Sequence, residues 1–99
     1  MTKIKKLIER IEDELESAKD YAENYIECKV KGDTTTSQKF RSMAEDELKH
    51  AMFFHEKAVK EIEELSKAVA VPVEMAEKWE HEHKEYVERA AWIRQMLAM

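Results

Sequence analysis

Among 99 residues there is one glycine, Gly32, and one proline, Pro72. A chain with so few residues that turn sharply, and with 39% of its residues charged, has the composition of long helices with solvated faces rather than of a turn-rich sheet protein. The two breaks divide it into three segments. At Gly32-Asp33-Thr34-Thr35 the glycine suits the left-handed position just past a helix C-terminus, and Thr35 followed by Gln38 has the form of a capping box that opens the next helix. At Ala68-Val69-Ala70-Val71-Pro72 the proline suits the first turn of a third helix. The sequence predicts helices over about 3–31, 36–67 and 73–97 in one domain covering 1–99. At ~1.5 Å per residue these are rods of roughly 40–45 Å, and short connections make consecutive helices antiparallel neighbours. The expected fold is all-α, an antiparallel bundle of three long helices.

The hydrophobic period agrees. Ile4, Ile8, Ile11, Leu15, Ala18, Ala22 and Ile26 recur at steps of three and four, the spacing of a core-facing stripe. Phe40, Met43, Ala44, Ala51, Phe54, Ala58, Ile62 and Leu65 do the same in the second segment, and Met75, Ala76, Trp79, Tyr86, Ala90, Ile93 and Leu97 in the third. The methionines and aromatics in these stripes are core filler. A second apolar band lies off the stripe at Leu48, Met52 and Val59, with Trp92 and Met96 on the third helix. Such bands on a chain this small point to a protein interface and hence a homo-oligomer.

A net charge of −5, with no Lys/Arg cluster outweighing its acidic neighbours, disfavours nucleic acid as a partner. The longest uncharged apolar stretch, Ala68 to Val73, contains Pro72 and is too short to span a bilayer. Ile4, Leu7 and Ile8 are interrupted by charges and do not form the apolar block of a signal peptide. The single cysteine, Cys28, fits a reducing compartment, so a cytoplasmic location is expected.

Some polar residues break the apolar pattern. On a helical wheel Glu47 falls at the centre of the second stripe, between Met43/Ala44 and Ala51/Phe54, and His50 lies within the same apolar arc. Buried carboxylates are costly unless paired or bound to a metal. A Glu-x-x-His pair pointing one way from a helix is the unit from which helical bundles build carboxylate di-metal centres. On the first helix Glu14 alone among the acids falls near the stripe. The third helix repeats the motif as Glu80-x-x-His83, with His83 inside its stripe and Glu80 at its edge, whereas His81 and Glu82 read as solvent-facing. The midpoints of three up-down-up helices coincide, so Glu14, Glu47/His50 and Glu80/His83 are expected at one level, as metal ligands. Tyr21, two turns beyond Glu14, is placed either to hydrogen-bond a ligand or to pack. Cys28 and His55 carry no assignment. The plainer account is a Glu–His pair hydrogen-bonded in the core, since helices rich in Glu produce Glu-x-x-His by chance.

From Glu14…Tyr21 and from Phe40 through Met43-Ala44-Glu45-Asp46-Glu47-Leu48-Lys49-His50-Ala51 the chain resembles the ferritin-like superfamily, especially its rubrerythrin-type and encapsulated-ferritin-type proteins, over roughly residues 8 to 65. The resemblance implies a site for two irons that oxidises Fe²⁺ with O₂ or peroxide, with Glu14, Glu47 and His50 as one half of the ligand set. Zinc and manganese are the other metals such a ligand set would accept. Ferritin-like domains of full length have four helices and two such half-sets, and this chain has room for three helices. Encapsulated ferritins pair two short chains, which implies a dimer, or a ring of dimers, with the site shared across the interface; four carboxylates and two imidazoles then surround the metals. An encapsulin shell is a possible partner by the resemblance, although no encapsulin-docking tail is seen after Met-Leu-Ala-Met, and the cysteine pairs of a rubredoxin-like module are absent. The rival expectation is a helical assembly or adaptor protein without chemistry, its core holding a structural Zn²⁺ or a metal-free Glu–His network.

Overall fold

The structure, a computed structural model, describes residues 2–99 as three helices, α1 (Thr2–Val30), α2 (Thr34–Ala68) and α3 (Val73–Leu97), with no strand among the described residues. None of the helices is long and apolar enough to cross a membrane. The molecule measures 55 × 17 × 16 Å, its long dimension being that of the 35-residue α2 at ~1.5 Å per residue.

The reversal between α1 and α2 is tighter than the sequence suggested. Gly32 adopts a left-handed φ of 81°. Its amide donates to the Lys29 carbonyl at 3.1 Å, and the Asp33 amide donates to the Cys28 carbonyl at 2.9 Å, the paired bonds of a Schellman turn. Asp33, not Thr35, then caps α2: its Oδ1 accepts from the Thr36 amide at 3.1 Å. The negative carboxylate at a helix N-terminus complements exposed amides, and hydrogen bonding to Thr36, through its side chain and then its amide, holds the Asp33 carboxyl below its ordinary range. One turn of chain thus ends one helix and begins the next, and α2 starts before the expected capping box. Pro72 stands just outside α3 as its N-cap, its carbonyl accepting from the Ala76 amide at 3.0 Å.

The core is a seam between α1 and α2. Ile4, Ile8, Ile11, Leu15, Ala18, Ala22 and Tyr25 are buried on α1 at alternating steps of four and three, a heptad pattern. They face Ser37, Ala44, Ala51 and Ala58, also buried, which repeat every seven residues along α2. Three of these four are alanines, so the backbones approach closely and side chains flanking the seam are forced together. Lys3 pairs with Glu61 at 3.0 Å and Tyr21 stacks on Phe40 at 6.3 Å, which fixes the antiparallel sense.

Helix α3 lies mainly on α1 and meets α2 sparsely. Arg89 reaches Glu16 at 3.3 Å, and the Lys29 ammonium bonds the Met99 carbonyl, so α3 runs up beside α1. This off-centre docking changes several expectations. Leu48 and Met96, expected in a second apolar band, are buried in the main core together with Ala90, Ile93 and Leu97. Met52 and Trp92 of that band are exposed and Val59 is half-buried. Conversely Met43 is 41% exposed and Ala76 is exposed, because no third helix covers that flank of α2 and the start of α3 has little of α2 beneath it.

Candidate metal centre

One flank of the α1–α2 seam carries Glu14, Glu47 and His50, each offering a donor atom within 4.8 Å of the other two; they form the one such group among the described residues. The i,i+3 spacing in α2 puts Glu47 and His50 on one side of the helix, and the close alanine seam brings Glu14 across to them. His50 Nδ1 lies 3.4 Å from Glu14 Oε2 and 3.6 Å from Glu47 Oε1. The two carboxylates are largely buried, whereas the His50 side chain is 56% exposed. The imidazole expected inside the apolar arc therefore stands at the open edge of the site.

The electrostatics are strained. Glu14 Oε2 is buried without a hydrogen-bond partner, a costly condition for a carboxylate oxygen. Glu47 is pushed up to about 7, chiefly because it shares a hydrogen bond with Glu14, then through burial and the Glu14 charge; His50 pulls the other way. Two carboxylates facing each other at the edge of a core cannot both be ionised cheaply. Either a proton or a cation between them relieves the repulsion.

Tyr21 is half-buried and stacked on Phe40 two turns along the same flank. Farther the other way, Arg10 sits over the Phe54 ring at 5.5 Å. Aromatic and apolar side chains thus border the acidic cluster at both ends, and the exposed Met43 adjoins it.

Glu80 and His83 are not brought to this centre. Glu80 is exposed. His83 Nδ1 lies 2.9 Å from His55 Nε2 on α2. The reason is azimuthal. Residues two apart on a helix point about 200° apart; Glu12 and Glu16 lie on the side of α1 that meets α3, lining one groove with Glu82 and Arg89, so Glu14 must face away from α3. Matching levels along the bundle are not enough when the third helix docks on the other side of the first.

Two residues overlooked in the sequence emerge here. His55 is half-buried, stacks on Tyr86 with ring centroids 4.3 Å apart, and lies 5.3 Å from Trp79. Burial, and then the neighbouring His83, hold its imidazole below its ordinary range. Its position four after Ala51 and three before Ala58 was the available signal. Glu82, read as solvent-facing, is only 5% exposed; it stands three after Trp79 and four before Tyr86, on the same stripe. Cys28 is half-buried and free.

No protein-family model matches the chain, and no curated protein or solved structure matches it.

Proposed function

We propose that the chain is a short ferritin-like protein that takes Fe²⁺ as substrate and oxidises it, with Glu14, Glu47 and His50 as one half of a two-iron centre and a second copy supplying the other half. The observation that carries this reading is the buried, unpartnered Glu14 Oε2 set against Glu47 and His50, with all three donors within 4.8 Å. Carboxylate oxygens with an imidazole nitrogen suit first-row divalent metals. When iron is bound, it supplies the redox chemistry, giving electrons to O₂ or peroxide.

The residues of the chain do the remainder. Glu14 and Glu47 contribute negative charge that favours the higher oxidation state, and Glu47 gives up its proton as a cation enters. His50 orients at the outer edge, where its exposed ring is available to a site completed from outside the chain. The flank bearing the three residues faces away from α3, and with Met43 beside it this is the face a fourth helix would cover. A two-fold axis there doubles the half-set without any new residue.

A second reading has one specific support. A Glu14–Glu47 pair that shares a proton up to about pH 7 relieves the repulsion between the two carboxylates without metal. Anaerobic Fe²⁺ titration followed by O₂ separates the two. One iron bound per chain, with a ferric absorbance band appearing on oxygenation and lost in Glu47→Ala, supports ferroxidase chemistry. Failure to bind Fe²⁺ stoichiometrically leaves the metal-free network. Metal retained without oxidation, with Glu47→Ala losing the oligomer, makes the metal a structural clamp in an assembly protein.

A further inference from the structure

Helix α2 touches α3 sparsely, and where they meet, two imidazoles face each other. His55 Nε2 of α2 lies 2.9 Å from His83 Nδ1 of α3. Aromatic rings hold both in place. Tyr86 stacks on His55 with centroids 4.3 Å apart, and Trp79 stands 5.3 Å from His55 and 6.3 Å from His83. Beside His55 lies a groove of about 410 Å³ bordered by Glu56, Val59 and Glu63, and both histidines are half-buried rather than sealed in the core.

A contact between two imidazoles is one proton held between two good metal ligands. The 2.9 Å bond needs one nitrogen bare and the other protonated. The donor ring can carry that proton on its second nitrogen instead. A cation can therefore take the proton's place while both rings keep the neutral form that ligates metals. The dimensions fit a tetrahedral ion. At about 2.0–2.1 Å from each nitrogen, such an ion sets the two nitrogens about 3.3 Å and the ring centroids about 5.2 Å apart. The two centroids already stand 5.1 Å apart. The rings can thus stay where their aromatic neighbours hold them and tilt, widening the nitrogen gap by a few tenths of an ångström. We infer that His55 and His83 bind a divalent cation of the zinc class, which bridges α2 to α3, with water from the groove at its remaining positions. Two imidazoles on different helices separate this site from Glu14, Glu47 and His50, which offer one imidazole and two carboxylates. They also disfavour hard, oxygen-seeking cations. The consequence is mechanical, because the ion ties together two helices that otherwise have little contact.

The inference uses no residue of the iron reading, and the experiment keeps the two apart. Zn²⁺ is titrated calorimetrically into the full chain carrying Glu47→Gln, alone and with His55→Ala, His83→Gln or His81→Ala added. One saturable site per chain is expected in Glu47→Gln. Co²⁺ in place of Zn²⁺ should give the intense visible bands of a tetrahedral ion, and amide exchange over residues 73–86 should slow relative to the chain in chelator. His55→Ala and His83→Gln should each weaken Zn²⁺ binding by at least about tenfold, the loss typical even of a residue that only orients a ligand. Gln at position 83 keeps an amide able to bond His55, so this variant retains the α2–α3 contact even if His55→Ala loosens it. His81, whose side chain is 74% exposed on the same helix, should be replaceable by Ala without effect. Absence of saturable binding in Glu47→Gln overturns the inference. So does binding undiminished in both His55→Ala and His83→Gln, or binding lost in His81→Ala, either of which would place the ion elsewhere on the chain.

Discussion

Glu14 and Glu47 meet across the α1–α2 seam closely enough to share a hydrogen bond, and this contact, ahead of burial, holds Glu47 up to about 7. The cause lies in the small residues beneath them. Ala44 and Ala51 are wholly buried on either side of Glu47 along α2, and their lack of bulk lets α1 approach. Long acidic side chains at the edge of such a seam have nowhere to diverge.

The shared proton predicts how metal-free stability varies with pH. The folded chain holds a proton on Glu47 up to about 7, while the unfolded chain releases it near 4.5. The stabilisation from this group is complete below the unfolded value and is lost as pH rises through about 7. In chelator, the parent should therefore melt at a lower temperature at pH 8 than at pH 5 relative to Glu47→Gln. A parent-minus-variant difference that does not change between those pH values would contradict the carboxyl–carboxylate contact.

Metal uptake should expel that same proton. Because a ligating carboxylate must be ionised, Fe²⁺ or Mn²⁺ binding at pH 6 should release close to one more proton per metal than binding at pH 8. Affinity should rise with pH and level off above about 7. Calorimetric titration in two buffers of different ionisation enthalpy measures the proton count directly. Equal release at both pH values would mean that Glu47 is not a ligand.

Much of this was legible in the sequence because the relevant signals are local. Gly32 marks the end of α1 by its need for positive φ, and the three-and-four spacing marks the buried face of α1. Glu47 and His50 are recognisable on one helix, and Glu14 follows from its place beside Ile11 and Ala18. What stayed hidden depends on which neighbour each face meets. A helical wheel gives the direction of Glu82 about its own axis but cannot say that α1 lies there. Nor could it show that His83 would turn to His55 rather than to Glu14, since that follows from α3 docking beside α1 instead of over the seam. The capping of α2 was misplaced for a different reason: Thr35 fits the pattern, but Asp33 is the residue that the Schellman turn delivers to the helix start.

The seam, not the flank, should dominate stability. Leu15 is fully buried in the α1 core, and Leu15→Ala should cost about 2–5 kcal/mol through lost burial and a residual cavity. For a chain of this size that lowers the melting temperature by about 10 °C or more. Met43→Glu, on the exposed flank, should leave the helical content and the fold of a single chain intact. If a second copy covers that flank as proposed, the same substitution shifts sedimentation or light scattering toward monomer and abolishes cooperative metal loading. A purely monomeric parent would remove the shared-site part of the proposal.

The His55–His83 contact should control how firmly the first half of α3 is held. Its 2.9 Å N···N separation needs one ring nitrogen as donor and the other as unprotonated acceptor. Trp79 and Tyr86 pack against the same His55 ring, so one residue of α2 organises much of its thin contact with α3. His55→Ala should raise amide hydrogen exchange over residues 73–86 while protection along the Ile11–Ala22 stretch of α1 is unchanged. Acidification should act in the same direction. Burial lowers the folded-state pKa of His55 below the ordinary 6.5, so its contribution is present above that value and lost as pH falls through the depressed one. Exchange in 73–86 should accelerate on acidification below the ordinary imidazole value of 6.5 in the parent and show a much smaller added change in His55→Ala. Uniform acceleration across all three helices would instead mean that α3 opens only with the whole bundle.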